Sequence, residues 1–328
     1  MSLRRSLITA ALVVIAAVGG RYYYVYAQAH PATDDAYLDM NVAHIAAQVA
    51  GPVQTLAVRS HQKVHGGDLL FSIDPAPFRL AVDEAQARLQ QAKDALNAAD
   101  AKVSAAQAQV DAAQATLNET RRHAARVRGL VKKGTVSQDE GDATERALKD
   151  AGDSLAAAKA AYVAAVASRG APGDLNAAVK AAQALLGQAQ LDLQHTRVLA
   201  PADGILGSVD IRPGGYIDAG KPLFALVETG EVWVDANFKE SDLVHIRPGQ
   251  SAQISVDLEP GRAFRGRVDS LSPASGTAFS LLPPENATGN WVKVTQRFPV
   301  RIRVLNPAAG LRLGASSEVT VDTAAAPD

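Results

Sequence analysis

The chain of 328 residues has no cysteine. This excludes disulfides, thiol catalysis, thiolate-bound metals and a lipid-modified N-terminal cysteine. It also lacks a surplus of either charge: 33 basic against 34 acidic residues leave a net charge of −1, so no positive field draws in nucleic acid. Aromatic residues make up 5%, too few for an ordinary core in a chain this long, as expected if much of it is a thin hairpin. The sequence shows no nucleophile–base pairing, phosphate-binding loop or paired acid/base constellation, and it reads as a non-enzyme without a cofactor. His44, His61 and His65 fall in a glycine-rich turn region rather than on a helix face. They read as exposed loop histidines, not metal ligands.

What is abundant is a heptad. From position 82, every seventh residue reads Val82, Leu89, Leu96, Val103, Val110, Leu117, Ala124, Val131. A second register reads Ala85, Ala92, Ala99, Ala106, Ala113, Thr120, Val127. Alternating spacings of three and four are the seam of a coiled coil. Asp74 with Pro75 starts the first helix, which runs to about Lys133, where Gly134 can turn left-handed. Ser137-Gln138-Asp139-Glu140 is a capping box for the return helix. Leu148, Leu155 and Tyr162 continue the heptad with Thr144, Ala151, Ala158 and Ala165 between them. Gly170-Ala171-Pro172-Gly173 interrupts this leg, Asp174 can cap a restart, and Val179, Leu186 and Leu193 resume the spacing. Each leg is about 59 residues, roughly 88 Å if helical throughout.

The arm is flanked by a repeat. Gly51–Ile73 aligns without a gap on Gly204–Leu226: Gly51 with Gly204, Val64 with Ile217, Gly67 with Gly220, Phe71 with Phe224. Short β-type runs between Gly, Pro and Asp turns read as strands. The two halves should pair into one small two-fold sandwich, which brings both ends of the arm together and makes the arm an intramolecular hairpin.

At the N-terminus, Arg4 and Arg5 precede an apolar run from Leu7, followed by Arg21 and a tyrosine cluster to Tyr26. As a signal peptide it would be cleaved at Ala27-Gln28-Ala29. As an anchor, Leu7–Tyr26 is long enough for the roughly 30 Å hydrocarbon core. The anchor reading is preferred, because the stretch before Ala27 is long and bulky for a cleavage region. Arg4 and Arg5 then stay cytoplasmic and the remainder is exported. After Glu231 come β-rich segments: Val232–Phe238, a short helical stretch Glu240–Ile246, then strands Ala252–Asp257, Arg265–Ser270, Trp291–Val294, Phe298–Leu305 and Ser317–Val321. They suggest a small barrel or sandwich.

The half-motifs, with Ala200-Pro201-Ala202-Asp203-Gly204-Ile205 as the clearest run, resemble the biotinyl/lipoyl carrier fold. No lysine stands at the junction after Ile73-Asp74, where the arm is inserted, so carrier chemistry is disfavoured. Arg126, Leu130 and Ser137 have the Arg-x3-Leu-x6-Ser spacing of the hairpin tip in periplasmic adaptors, the HlyD-family membrane fusion proteins. Thr33-Asp34-Asp35-Ala36-Tyr37 and the run Phe279–Val294 continuing to Ile302 are similar to the EmrA-type subgroup. The resemblance implies an elongated α+β chain. Its parts are a cytoplasmic tip and transmembrane anchor (1–30), a split lipoyl-like sandwich (31–74 with 196–229), an α-helical hairpin (75–195) and a β-barrel (230–328). Because the chain ends soon after the barrel, no substantial membrane-proximal domain is expected.

The function so implied is a single-pass inner-membrane adaptor in the periplasm of a Gram-negative bacterium. It would form a trimer or hexamer and join an inner-membrane transporter, of the major facilitator type in preference, to a TolC-type outer-membrane channel for drug or small-molecule export. An ABC-exporter or aromatic-acid efflux adaptor is the alternative, with a carrier-enzyme subunit further behind. Arg126, Leu130 and Ser137 are the expected docking residues, although a solvated charge, a helix-end contact and a helix cap would look the same. Gly51, Gly67, Gly204 and Gly220 are the expected sandwich turns.

Overall fold

The structure, a computed structural model, describes residues 18–21, 26–276, 295–308 and 310–324. The anchor, apart from a few residues of Leu7–Tyr26, and the run Phe279–Val294 lie outside them. Among the described residues, no helix is long and apolar enough to cross a membrane.

Among the described residues, twelve strands and three long helices follow in order. Strands β1 (Ala32–Ala46), β2 (Gly51–Leu56), β3 (Lys63–Val64) and β4 (Leu69–Ile73) lead into α1 (Ala76–Lys132). The chain returns through α2 (Gln138–Arg169) and α3 (Ala177–His195). It then forms β5 (Arg197–Leu199), β6 (Gly204–Leu206), β7 (Tyr216–Ile217), β8 (Pro222–Lys239), β9 (Ser251–Val256), β10 (Ala263–Leu271), β11 (Arg297–Val304) and β12 (Ser316–Val321). Residues 240–245 form turns rather than a helix, with Asp242 N–H donating to Lys239 O and His245 N–H to Asp242 O. Ile246 must reach the barrel core, where it is fully buried, and so short a segment gains too few intrahelical bonds to hold a helix against that.

The sandwich forms by exchange between the two halves. Val64 pairs with Gly204 and Lys63 with Ile205; Ile217 pairs with Gly51 and Tyr216 with Pro52. The two ladders are the same ladder under the 153-residue offset of the repeat. Further bonds obey the offset too. Gly67 N–H donates to Ala200 O and Gly220 N–H to Ala47 O, both at 2.8 Å, and both glycines are left-handed, with φ of 91° and 76°. Gly214 (φ 84°) corresponds to His61, which holds φ 61° without being glycine. Phe71 and Phe224 meet edge to face at 6.2 Å near the centre of a core containing Val53, Val64, Ile73, Leu206, Ile217 and Leu226.

Six strands in the order β1-β12-β9-β10-β11-β8 close into a barrel through the β1–β8 pairing. Inward side chains alternate along each strand, as with Val232, Val234, Ala236 and Phe238 on β8, the period of two expected of a strand with one buried face. Both β1 and β8 run on from barrel to sandwich, paired from Ala36↔Ala236 to Ala46↔Pro222 with a register shift after Met40. The sequence places residues 31–74 together in the sandwich. Ala36, Leu38 and Met40 instead pack into the barrel core, because the first half of β1 has β12 and β8 as its partners.

The arm is an antiparallel hairpin in which α1 lies against both α2 and α3. Every residue of the two heptad registers along α1 is buried or half-buried, and they include all of its fully buried residues. Its 57 residues span about 85 Å. The root is fixed by β4–β5 pairing, Phe71 with Val198 and Ser72 with Arg197, and by Ile73 N–H donating to the buried Thr196 at its carbonyl, 2.8 Å away. The helix begins one residue later than Pro75, which takes the cap position. Asp74 still accepts the N–H of Ala76 at 3.0 Å.

The interruption in the return leg is ordered. Gly173 (φ 58°) starts a 3-10 turn, Gly173–Leu175, which moves the restart beyond Asp174. Asn176 is therefore the cap of α3. It accepts from Ala178 N–H at 3.0 Å and donates from Nδ2 to Arg169 O at 2.9 Å and Ala171 O at 3.2 Å. Arg169 in turn reaches Asp100 of α1 at 3.0 Å. Replacing Asn176 with Ala removes a cap and two bridging bonds, so α3 should lose about 1–2 kcal/mol of local stability. Faster amide exchange confined to the first turns of α3 would be the expected signature.

Candidate functional site

The hairpin tip is built by two helix ends. At the end of α1, Gly134 N–H donates to Val131 O at 3.0 Å and Thr135 N–H to Leu130 O at 3.2 Å. This is a Schellman closure, and it needs a left-handed residue, here Gly134 with φ 72°. Ser137, extended at φ −70° and ψ 158°, then caps α2 by accepting from Glu140 N–H at 3.3 Å. Asp139 and Glu140 stand in the first turn of α2, where the helix dipole favours them.

Behind the turn the legs interlock. Val127 is buried and Val131 half-buried, and Gly141 lies so close that a Cβ there would be 3.3 Å from Val131 Cγ2. Arg128 donates from Nε and Nη2 to Glu145 Oε1 of the opposite leg, at 3.2 and 2.7 Å. This exposed pair fixes the register more than it adds stability.

Arg126 and Leu130 lie one helical turn apart, hence on neighbouring positions of one side of α1, and both are exposed. The Leu130 side chain is 42% accessible while its carbonyl closes the turn. Ser137 stands across the turn as the first residue of the opposite leg, its hydroxyl engaged as the cap. These three positions thus present a guanidinium, a leucine side chain and a capped turn on exposed surface. The sequence does not single out Arg128 or Glu145; their signal is opposite charge at equal distances from the turn. A Ser137→Ala chain should lose about 1 kcal/mol of tip stability, read as faster amide exchange in the first turn of α2.

Two family models match the chain in succession: the RND MFP barrel-sandwich hybrid domain over residues 41–229 and the CusB-like β-barrel domain over residues 231–325. The multidrug export protein EmrA of Haemophilus influenzae is 32% identical over 316 residues, covering 94% of this chain and 81% of that protein. The multidrug resistance protein MdtN of Escherichia coli is 32% identical over 332 residues, 97% of each chain. The fatty acid resistance protein FarA of Neisseria gonorrhoeae is 37% identical over 303 residues, 90% of this chain and 76% of that protein. Among solved structures, the periplasmic adaptor protein EmrA aligns over 90% of this chain and 99% of its own, at 19% identity and a TM-score of 0.42.

Proposed function

The chain belongs to the membrane fusion proteins, the periplasmic adaptors of efflux systems, and we propose that it joins an inner-membrane transporter to an outer-membrane channel in a tripartite pump. The single observation that carries this reading is the arm. An intramolecular hairpin about 85 Å long, rooted in a closed sandwich and ending in an ordered, exposed tip, is a spacer with a docking end. The energy of transport comes from the partner.

Several finer assignments belong to the proposal. Residues 1–30 form a cytoplasmic tip and a single inner-membrane anchor, and the rest of the chain stands in the periplasm. The barrel (230–328, joined by the first half of β1) and the split sandwich stand above the membrane, and residues 75–195 reach outward. The direction of entry supports this order: Thr323 N–H donates to Ala29 O at 2.9 Å and Val321 N–H to Pro31 O at 3.0 Å. The chain therefore enters the barrel at the end opposite the sandwich. The transporter is of the major facilitator type, the channel is TolC-like, and the adaptor works as a homo-oligomer, trimer or hexamer. Arg126, Leu130 and Ser137 form the channel-docking surface. The cargo is a drug-like or amphiphilic small molecule, in keeping with relatives named for multidrug export and fatty acid resistance.

The test uses the absence of cysteine. A Leu130→Cys chain carrying a photo-crosslinker at that thiol should capture an outer-membrane channel protein in intact cells, and the same chain should co-purify a facilitator-type transporter. Capture of nothing from the outer membrane by probes at 126, 130 and 137 would remove the docking role. Co-purification without any inner-membrane transporter would remove the adaptor role.

A further inference from the structure

Where the arm meets the sandwich, the sheet turns leucine and arginine side chains outward. The β4–β5 ladder has a register shift between Leu69 and Phe71. Leu70 and Phe71 are in consequence both fully buried, while Leu69 and Ser72 are half-buried on the outer side. Leu69 is paired with Leu199 and Ser72 with Arg197, and directly opposed residues share a face. The outer face of this ladder therefore carries an apolar pair followed by a guanidinium. Leu199 is 46% accessible and Arg197 is exposed.

The arm makes this face one wall of a groove. Pro75 and Arg79 at the start of α1, with Leu193 and Gln194 at the end of α3, form the other wall, and the buried Ile73 lies beneath. The space between them is about 440 Å³. Among the described residues, none that lines it is acidic. Asp74, the nearest carboxylate along the chain, accepts the N–H of Ala76 instead. Among the described residues, neither Arg79 nor Arg197 makes an ion pair. Other clefts differ in this respect. The one beside Tyr216 mixes Asp210 and Asp218 with Arg212 and Lys221, and on the barrel wall Arg301 is already paired with Asp235.

We propose that this groove binds a free, single-chain amphiphile with a carboxylate head. The head takes charge-assisted hydrogen bonds from Arg79 and Arg197, and the tail lies along Pro75, Leu193 and Leu69 toward Leu199. Two cations without an acid select an anion, and the apolar walls select a tail. A groove of this size takes one tail rather than the two of a bilayer lipid. Arg79 belongs to the arm and Arg197 to the sandwich, so a head held by both bridges the joint at the arm's root. Binding then favours the arm orientations in which both guanidiniums reach the head. The assignment stands on these residues alone and is independent of the transporter, channel and cargo proposed above.

The experiment uses the full-length chain in isolated membranes, with no transporter or channel co-expressed. A dodecanoate carrying a diazirine at the tail end is photoactivated below its micelle concentration, and the adducts are mapped by mass spectrometry. Label is expected on peptides containing Leu69, Leu193 or Leu199. Excess plain dodecanoate should remove it. Dodecyltrimethylammonium, with the same tail and a cationic head, and dodecanol, with a neutral one, should leave it nearly unchanged. Arg79→Gln and Arg197→Gln should each weaken labelling about tenfold, and both side chains are exposed, so the fold is kept. Equal competition by dodecanol would reduce the groove to an apolar patch and overturn the proposal. Labelling indifferent to both substitutions would do the same. Displacement by phosphatidylglycerol vesicles would give the groove to bilayer lipid instead. Absence of label from these peptides, whether the groove is empty or covered by another copy of the chain, would also refute it.

Discussion

A Gly204→Ala chain should lose about 3 kcal/mol or more of stability, although the substitution adds a single methyl group. A Cβ at Gly204 would collide with the carbonyl oxygen of Val227 and lie 2.8 Å from Leu226 Cδ1 and 3.1 Å from Val227 C. The obstacle is backbone, so no rotamer change relieves it. Retreat is blocked as well, because β6 is paired on both sides, Gly204 with Glu228 of β8 and with Val64 of β3. The symmetry-related Gly51 provides an internal control. A Cβ there would meet Ile73 Cγ2 at 2.7 Å, a buried side-chain methyl rather than backbone, so Gly51→Ala should cost less, about 1–2 kcal/mol. Equilibrium urea unfolding of both variants checks the ranking. A Gly204→Ala midpoint equal to that of the unsubstituted chain would show that β8 moves off β6 freely, and the account of the sandwich would fail.

Arg126→Glu should abolish export while the chain still folds and reaches the membrane. The side chain is exposed and makes no ion pair among the described residues. Charge reversal at such a position normally changes stability by about 0.5 kcal/mol or less. A docking guanidinium is different: its reversal places a like or unpaired charge in a closed interface, at a cost of several kcal/mol and hence more than a hundredfold in affinity. The discriminating comparison is Arg121→Glu, on the same helix and also exposed, which should leave export nearly intact. Export by the Arg126→Glu chain at the unsubstituted level would take Arg126 off the docking surface. Loss of membrane-bound protein would instead mark a folding defect.

Much of this architecture could be read from the sequence because two periodicities carry it. The heptad marks the seam residue by residue, from Val82 to Val131. The 153-residue offset aligns the sandwich halves closely enough to reproduce hydrogen bonds such as Gly67 to Ala200 and Gly220 to Ala47. What escaped depends on local competition. Asp174 and Asn176 are both good caps; only the left-handed Gly173, which commits the chain to a 3-10 turn, decides for Asn176. His61 stands where the repeat shows Gly214, but a left-handed histidine leaves no signal in composition. The turns at 240–245 follow from Ile246 being drawn into the barrel, a tertiary demand that helix propensity does not record. At the tip, the cap role of Ser137 follows from the sequence, since the box is local. What the tip binds is a property of its partner.

The insertion of the arm between two halves of one sandwich also dictates an order of folding. Val64 and Gly204 must find each other across about 140 residues. Closing a disordered loop of that length costs roughly 4 kcal/mol of chain entropy beyond the fixed term. The hairpin pays no such toll, because its legs can zip from the Gly134 turn through contacts that start only a few residues apart. Once zipped, it delivers Ile73 and Thr196 to one another, and the loop that separated the half-motifs has already been closed. The arm should thus act as a folding template for the sandwich at its base, and slow steps should belong to sandwich and barrel rather than to the helices.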